Sequence, residues 1–256
     1  MFRDSTRMIA IKSEAEIELM RVSGAVLAQI LNEMAEMLGP GMSTMDVDEY
    51  AERRCAELKV IPAFKGYRGF PGSVCVSVNE QVVHGVPSRS KILKEGDIVG
   101  LDFGVIREGW YADSARSVGV GKVSVQAQKL VDATAEGLRL GIEQCREGNR
   151  VFDIGHAIQK YVESFGYGVV REFVGHGIGK SLHEEPQVPN FGPKGKGVHL
   201  KAGMVLAIEP MINAGSPEVR VLEDGWTAVT ADSSLSAHFE HTVAITRDGP
   251  KILTLV

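Results

Sequence analysis

Cysteine is scarce in this chain of 256 residues: only Cys55, Cys75 and Cys145 occur. They are far apart, odd in number and free of C-x-x-C spacing. That pattern argues against a disulfide framework or a cysteine zinc site and favours a reducing compartment. No apolar run approaches the ~20 residues of a membrane helix. The first twelve residues carry Arg3, Asp4, Arg7 and Lys12 where a secretory leader would have an apolar core. The expectation is a cytoplasmic protein with no membrane partner. Neither sign of charge dominates, since 28 Lys and Arg against 33 Asp and Glu leave a net charge of −5. A mildly acidic chain is a poor general binder of nucleic acid or anionic lipid, so no specific nucleic-acid partner is expected. No Pro/Ser/Gly-rich linker interrupts it, which predicts a single domain over 1–256. The chain does have 44% apolar and 24% charged residues, the balance of a globular protein. Its length suffices to bury roughly 70–75% of the unfolded surface without covalent staples.

Apolar residues recur at three- and four-residue steps from Ser13 to Leu38, with Ser13 and Glu16 spaced as a capping box. Gly39-Pro40-Gly41 stops this helix, and a second is predicted over Thr44–Leu58. Strand-like stretches follow at Ser73–Val78, Ile98–Phe103 and Tyr111–Val120. Helical periods return over Val123–Gln144 and Phe152–Phe165, and strand-like runs again at Gly168–Phe173, Met204–Ile212, Trp226–Thr230 and Phe239–Ile245. The order helix, helix, strands thus occurs twice. Gly41–Val47 matches Gly148–Ile154, and Lys94–Asp102 matches Lys201–Glu209, both at an offset of 107 residues. The expectation is a duplicated unit folded as two pseudo-symmetric halves, roughly 11–120 and 121–256, with a binding site at their junction.

Both halves deliver an acid at the same place. Asp102 ends Ile98-Val99-Gly100-Leu101, and Glu209 ends Val205-Leu206-Ala207-Ile208. A carboxylate ending a buried strand needs a partner. One alone usually marks a salt bridge or a cap, whereas two in register across a repeat point to shared chemistry. Asp113 lies eleven residues past Asp102, which suits a hairpin return, and Glu240 sits on a further strand. Carboxylates converging from two halves repel unless cations neutralise them, and a divalent metal pair does this. His176 in Gly175-His176-Gly177-Ile178-Gly179 is flanked by residues that permit close approach. His84 and His183 sit in turn-rich surroundings, but spacing alone does not separate these three from His156, His199, His238 and His241. His156 and His199 are expected to be structural or solvated. His241 should point away from Glu240, and His238 shares Glu240's face.

Together these motifs resemble methionine aminopeptidase type I, the family that removes initiator methionine. The likeness runs from about Ile11 to the end and rests on Cys75-Val76-Ser77-Val78-Asn79-Glu80 with His84-Gly85, Asp102-Phe103-Gly104 with Asp113, Gly175–Gly179 with His183, Ile208-Glu209-Pro210-Met211, and Phe239-Glu240-His241-Thr242. It implies an α+β pita-bread (creatinase/aminopeptidase-like) fold, with an inner curved antiparallel sheet and outer helices. It also implies two divalent ions (Co, Mn, Fe, Zn or Ni), one on Asp102, the other on His176 and Glu209, with Asp113 and Glu240 bridging. By the same resemblance a metal-activated hydroxide attacks the first peptide bond. Glu209 accepts its proton, His183 assists the developing oxyanion, and His84 assists the leaving amine. The implied methionine pocket is Phe64, Tyr67, Phe70, Cys75, Leu182 and Trp226, though Phe64 and Phe70 fit a plain hydrophobic core equally well. A monovalent cation near Asn79 and Ser236 and contact with the ribosome are further family traits. The stretch before Glu240 holds Arg220 against Glu218, Glu223 and Asp224, which speaks against a basic ribosome-contacting loop there.

Glu240 follows Glu209 by 31 positions, leaving no room for the long insertion of type II enzymes. The chain also lacks the N-terminal zinc-binding extension of eukaryotic type I enzymes, so a short bacterial-type form is expected. A prolidase or Xaa-Pro aminopeptidase on the same fold would be expected to carry an additional N-terminal domain before His84. A metal-free peptide- or RNA-binding relative would have no use for all five ligand types together with His84 and His183.

Overall fold

The capping signal at Ser13 acts as its spacing predicts. Its hydroxyl accepts from Glu16 N, the Glu16 carboxylate accepts from Ser13 N at 2.8 Å, and helix α1 runs Glu14–Met37. Ser43 and Asp46 repeat the device at the head of α2 (Thr44–Leu58). Helices α3 (Val125–Glu143) and α4 (Val151–Glu163) complete the set, each end within two residues of the expected boundary. This computed structural model describes residues 8–256, so the reading of the start as leaderless falls partly outside the described residues. Among them, no helix is long and apolar enough to cross a membrane.

The first five strands are β1 (Ile61–Pro62), β2 (Val74–Val78), β3 (Gln81–Val83), β4 (Ile98–Arg107) and β5 (Trp110–Gly119). After α3 and α4 come β6 (Gly168–Val169), β7 (Gly175–Gly177), β8 (Glu184–Val188), β9 (Val205–Ile208) and β10 (Met211–Asn213). The last are β11 (Val219–Val221), β12 (Ala228–Thr230), β13 (Ser236–His238), β14 (Glu240–Thr246) and β15 (Gly249–Ile252). Four expected strands differ: the strand from Ile98 runs on to Arg107, and the one expected from Trp226 begins only at Ala228. The run from Gly168 to Phe173 pairs only at its first two residues, and Met204–Ile212 is two strands separated at Glu209-Pro210. Proline lacks the N–H that a continuing ladder would use.

Nine strands form one antiparallel sheet in the order β1-β4-β5-β14-β9-β7-β8, with β2 also on β4 and β15 also on β14. Strand β14 is the seam, pairing with β5 from the first part of the chain and with β9 from the second. The parts correspond in sequence position: α2 starts at Thr44 and α4 at Val151, β4 at Ile98 and β9 at Val205, 107 residues apart in each case. Helices α1 and α2 cover an apolar core with Val74, Leu101 and Phe103, while α3 and α4 cover another with Leu206, Val243 and Ile245. A third cluster, holding Phe64, Phe70, Cys75, Trp110 and Leu182, lies beside the cavity described below. This is the α+β pita-bread arrangement, an antiparallel sheet with helices outside.

Helix α1 packs on the C-terminal segment so closely that a Cβ at Gly24 would lie 2.2 Å from the Leu253 carbonyl oxygen. Backbone cannot yield as a flexible side chain can. Gly24→Ala should therefore cost about 1–3 kcal/mol, read as a lower midpoint in urea unfolding with an unchanged slope. An unchanged midpoint would show that the helix is free to shift.

Candidate metal centre and its cavity

Each acidic side chain reaches the site from a strand whose register is held by backbone anchors. In the β4–β5 hairpin Asp113 pairs with Gly104 and Asp102 with Ala115. Asp113 N donates to Thr242 Oγ1 at 3.0 Å, and Thr242 Oγ1 donates to the Asp113 carbonyl at 2.7 Å, fastening β5 to β14. Glu240 opens β14 opposite Ala115, and its carbonyl accepts from Ser114 Oγ at 2.6 Å. Glu209 sits where β9 ends, its carbonyl accepting from Asn190 Nδ2 at 3.1 Å. His176 is the middle residue of β7. A Cβ at Gly175 would lie 2.3 Å from the Ala207 carbonyl oxygen and one at Gly177 2.2 Å from that of Glu185, so only glycine lets β7 enter between β8 and β9.

The Nδ1–H of His176 donates to the Gly177 carbonyl at 2.9 Å. That leaves Nε2 with its lone pair toward the acids, 3.4 Å from Glu209 Oε1 and 4.0 Å from Asp113 Oδ2. One donor atom each from Asp113, His176 and Glu240 lie within 4.8 Å of one another. Asp102 and Glu209 line the same cavity of about 150 Å³. So do His84, His183, Phe64, Tyr67, Phe70, Cys75, Leu182 and Trp226, so the candidate metal, catalytic and pocket residues face one space, while Asn79 and Ser236 are not on its lining.

The electrostatics of the site call for positive charge. Burial pushes the Asp102 carboxyl up to about 7, against a hydrogen bond with Cys75 that acts the other way. Asp113, Glu209 and Glu240 stand well above the ordinary carboxylate range, through burial first and then through neighbouring acids. Burial lowers His176 to about 4 and His238 to about 3; His183, on the exposed rim, is lowered to about 3 by desolvation on its inner side and by neighbouring His176, Arg68 and His84, so no imidazolium balances the acids. Asp102 Oδ1, Asp113 Oδ1 and Glu240 Oε1 are buried with no hydrogen-bond partner. Orphaned carboxylate oxygens are costly in a protein interior, and a divalent cation satisfies them. Mixed carboxylate and imidazole donors fit Mn, Fe, Co, Ni or Zn.

His241 turns away from Glu240 and bonds Thr254 Oγ1 at 2.8 Å. His238 is buried with Nε2 4.0 Å from Glu209 Oε2. His156 bonds the Gly192 carbonyl at 3.3 Å, away from the acids, and the His199 backbone pairs with that of Arg150. Sequence reasoning missed Arg68, which lines the cavity from the Tyr67–Gly69 turn. It also missed Phe173, whose ring meets that of His84 edge-on at 5.3 Å. Neither carries a spacing signal. The glycines around Tyr67-Arg68 mark only a turn.

The sequence matches metallopeptidase family M24 over residues 18–247. It is 51% identical to a methionine aminopeptidase of Clostridium acetobutylicum, over 97% of this chain and 99% of that protein. The chain belongs to the methionine aminopeptidases of family M24. The crystal structure of a Thermotoga maritima methionine aminopeptidase superposes with a TM-score of 0.95 at 48% identity, covering 97% of this chain and all of that one. A prolidase of Pyrococcus furiosus, at 21% identity and a TM-score of 0.75, shares the fold alone; the match covers 96% of this chain and 65% of that one. The metallopeptidase membership agrees with the acid–imidazole cluster of the cavity.

Metal binding to this cluster should raise the thermal midpoint. At a hundredfold excess over the dissociation constant the gain is about 2.7 kcal/mol, or roughly 5–10 °C for a chain of this size. Asp113→Asn and Glu240→Gln should each lose most of the Mn²⁺-induced rise. Their chelated midpoints should stay close to the parent's, because burial already favours the uncharged carboxyl. A full Mn²⁺ response in either variant would remove that residue from the cluster.

Proposed function

We propose that this chain hydrolyses the N-terminal (initiator) methionine from nascent polypeptides when the second residue is small. In this reading Asp102, Asp113, His176, Glu209 and Glu240 hold two divalent ions. The observation that carries it is the convergence of unpartnered buried carboxylate oxygens on a neutral imidazole, beside an apolar pocket, in a methionine aminopeptidase sequence. When bound, the ions supply Lewis acidity and bring the pKa of water toward neutrality.

The chain's own groups do the rest. Glu209, at the mouth of β9 with a carboxylate oxygen near His176, takes the proton of the attacking water. Desolvation on the cavity side and the nearby His176, Arg68 and His84 keep rim-exposed His183 neutral, and the Tyr67 hydroxyl lies 2.9 Å from its Nδ1. With Tyr67 donating, Nε2 carries the hydrogen and serves as the donor for the carbonyl oxygen as it gains charge. His84, its pKa lowered by burial, stands edge-on to Phe173 and Trp226 and contacts the amide nitrogen that leaves as an amine. Phe64, Tyr67, Phe70, Cys75, Leu182 and Trp226 surround the unbranched thioether side chain. A monovalent cation near Asn79 and Ser236 belongs to the same reading. Those residues meet where Ser236 N donates to the Asn79 carbonyl at 2.9 Å. We assign the activity to the whole chain as one catalytic domain in the cytoplasm, acting where nascent chains emerge from the ribosome.

After chelation and reloading with Mn²⁺ or Co²⁺, the protein should release Met from Met-Ala-Ser far faster than it cleaves Ala-Pro; preferential cleavage before proline would overturn the assignment. His84→Ala should keep the metal-induced rise in thermal midpoint while kcat falls by roughly 10²–10⁴-fold, and unchanged turnover would exclude His84 from the chemistry. Tyr67→Phe frees the His183 tautomer and should lower kcat about tenfold with little change in metal response. A change confined to KM would make Tyr67 a wall of the pocket only.

A further inference from the structure

A second cavity, of about 370 Å³, opens on the reverse face of the strands that carry Asp113 and Glu240. It lies between α1 and α3, where the two outer helix layers meet. Side chains alternate along β5 and β14, so Ser114, Arg116 and His241 face this space while Asp113 and Glu240 face the other. Its walls are apolar: Leu31 from α1, Leu138 and Ile142 from α3, Phe239, Ile252 and Leu255. The volume falls within the roughly 300–1,000 Å³ of small-molecule sites.

One strong donor faces this apolar space without a counter-ion. Arg116 is half-buried and gives one N–H to Asn32 Oδ1 at 2.6 Å. Among the described residues no carboxylate pairs with it. A guanidinium has five N–H donors, so most of its capacity is open. Arg139, also at the rim, is already held by Glu136 and Glu143. Of the other polar side chains on the lining, Ser114 Oγ donates to the Glu240 carbonyl, and His241 Nδ1 bonds Thr254 Oγ1. The cavity therefore offers one site for an anion and greasy walls beyond it.

The geometry points to a binding site for a small organic carboxylate with an apolar tail, its head on Arg116 and its tail between α1 and α3. A guanidinium recognises a carboxylate bidentately, and tail burial supplies the remaining affinity. The site is separate from the metal centre and does not depend on the peptidase reading.

Octanoate is a suitable probe, with 1-octanol as its uncharged counterpart, titrated by calorimetry and saturation-transfer NMR into the metal-loaded protein. Octanoate should bind saturably at one site. Arg116→Gln should weaken octanoate at least tenfold while changing 1-octanol less than twofold. Ala135→Phe, which fills the cavity from a half-exposed position on α3, should abolish both. Both variants should keep a single cooperative thermal transition, which reports that they are folded. Absence of saturable octanoate binding would overturn the site. Octanoate binding that survives both substitutions would place the carboxylate elsewhere, the metal centre included, and would equally overturn it. Equal loss of octanoate and 1-octanol in Arg116→Gln would deny the charge recognition.

Discussion

Four carboxylates and one neutral imidazole share a space from which most water is excluded, and the rest of the structure is arranged to hold them there. Burial and mutual repulsion disfavour their charged forms, so without a cation each acid gains by moving away or taking up a proton. The sheet prevents the first. Asp102 and Asp113 lie on adjacent strands of a ten-residue hairpin ladder, and Glu240 is locked to the second of these by Ser114 and Thr242. Such anchors act on backbone atoms, so they set where each Cα sits without using the carboxylate oxygens. Those oxygens stay available for cations, which is the condition a metallopeptidase requires.

The imidazoles are set by the same exclusion of water. His176 is kept unprotonated by burial, and its Nδ1–H is tied to a neighbouring carbonyl, so the lone pair on Nε2 is aimed at the acids. A protonated ring would neutralise one acid and forfeit a ligand. A protonated His183 or His238 would likewise place positive charge where cations are to be held. Neutral histidines and raised acids are therefore two consequences of one low-polarity environment.

Much of this was legible from residues alone, for identifiable reasons. The helices announced themselves because Ser13-Glu16 and Ser43-Asp46 are local devices, complete within one turn. Asp102 and Glu209 stood out because the repeat put an acid at the end of two apolar strands, and the fold brings both to one cavity. What stayed hidden depends on distant packing. Strand β7 is three residues long and mostly glycine, so it has no alternation to read, and only its neighbours β8 and β9 define it. The break after Ile208 was missed because an apolar run carries no sign of where a ladder stops, although Pro210 was the available signal. The contact of Tyr67 with His183 spans 116 positions, and nothing local predicts it.

The apolar side of the cavity explains why core and pocket could not be told apart for Phe64 and Phe70. Both are buried in the cluster that includes Trp110, Ile178 and Leu182, and both also line the cavity. Only Phe64 contacts β4 closely enough to require a glycine opposite, since a Cβ at Gly104 would meet its ring at 2.8 Å. A wall built from core side chains inherits the rigidity of close packing, so its shape is held before any ligand arrives. The lip is made differently. Gly66, Arg68 and Gly69 all have positive φ, and this exposed turn carries Tyr67 and Arg68 to the rim beside His183. In the proposed reading the rigid interior selects side-chain shape, while the turn positions polar groups toward the backbone of the substrate. Shape selection and bond positioning thus rest on separate pieces of chain, so each can change without dismantling the acid cluster beneath.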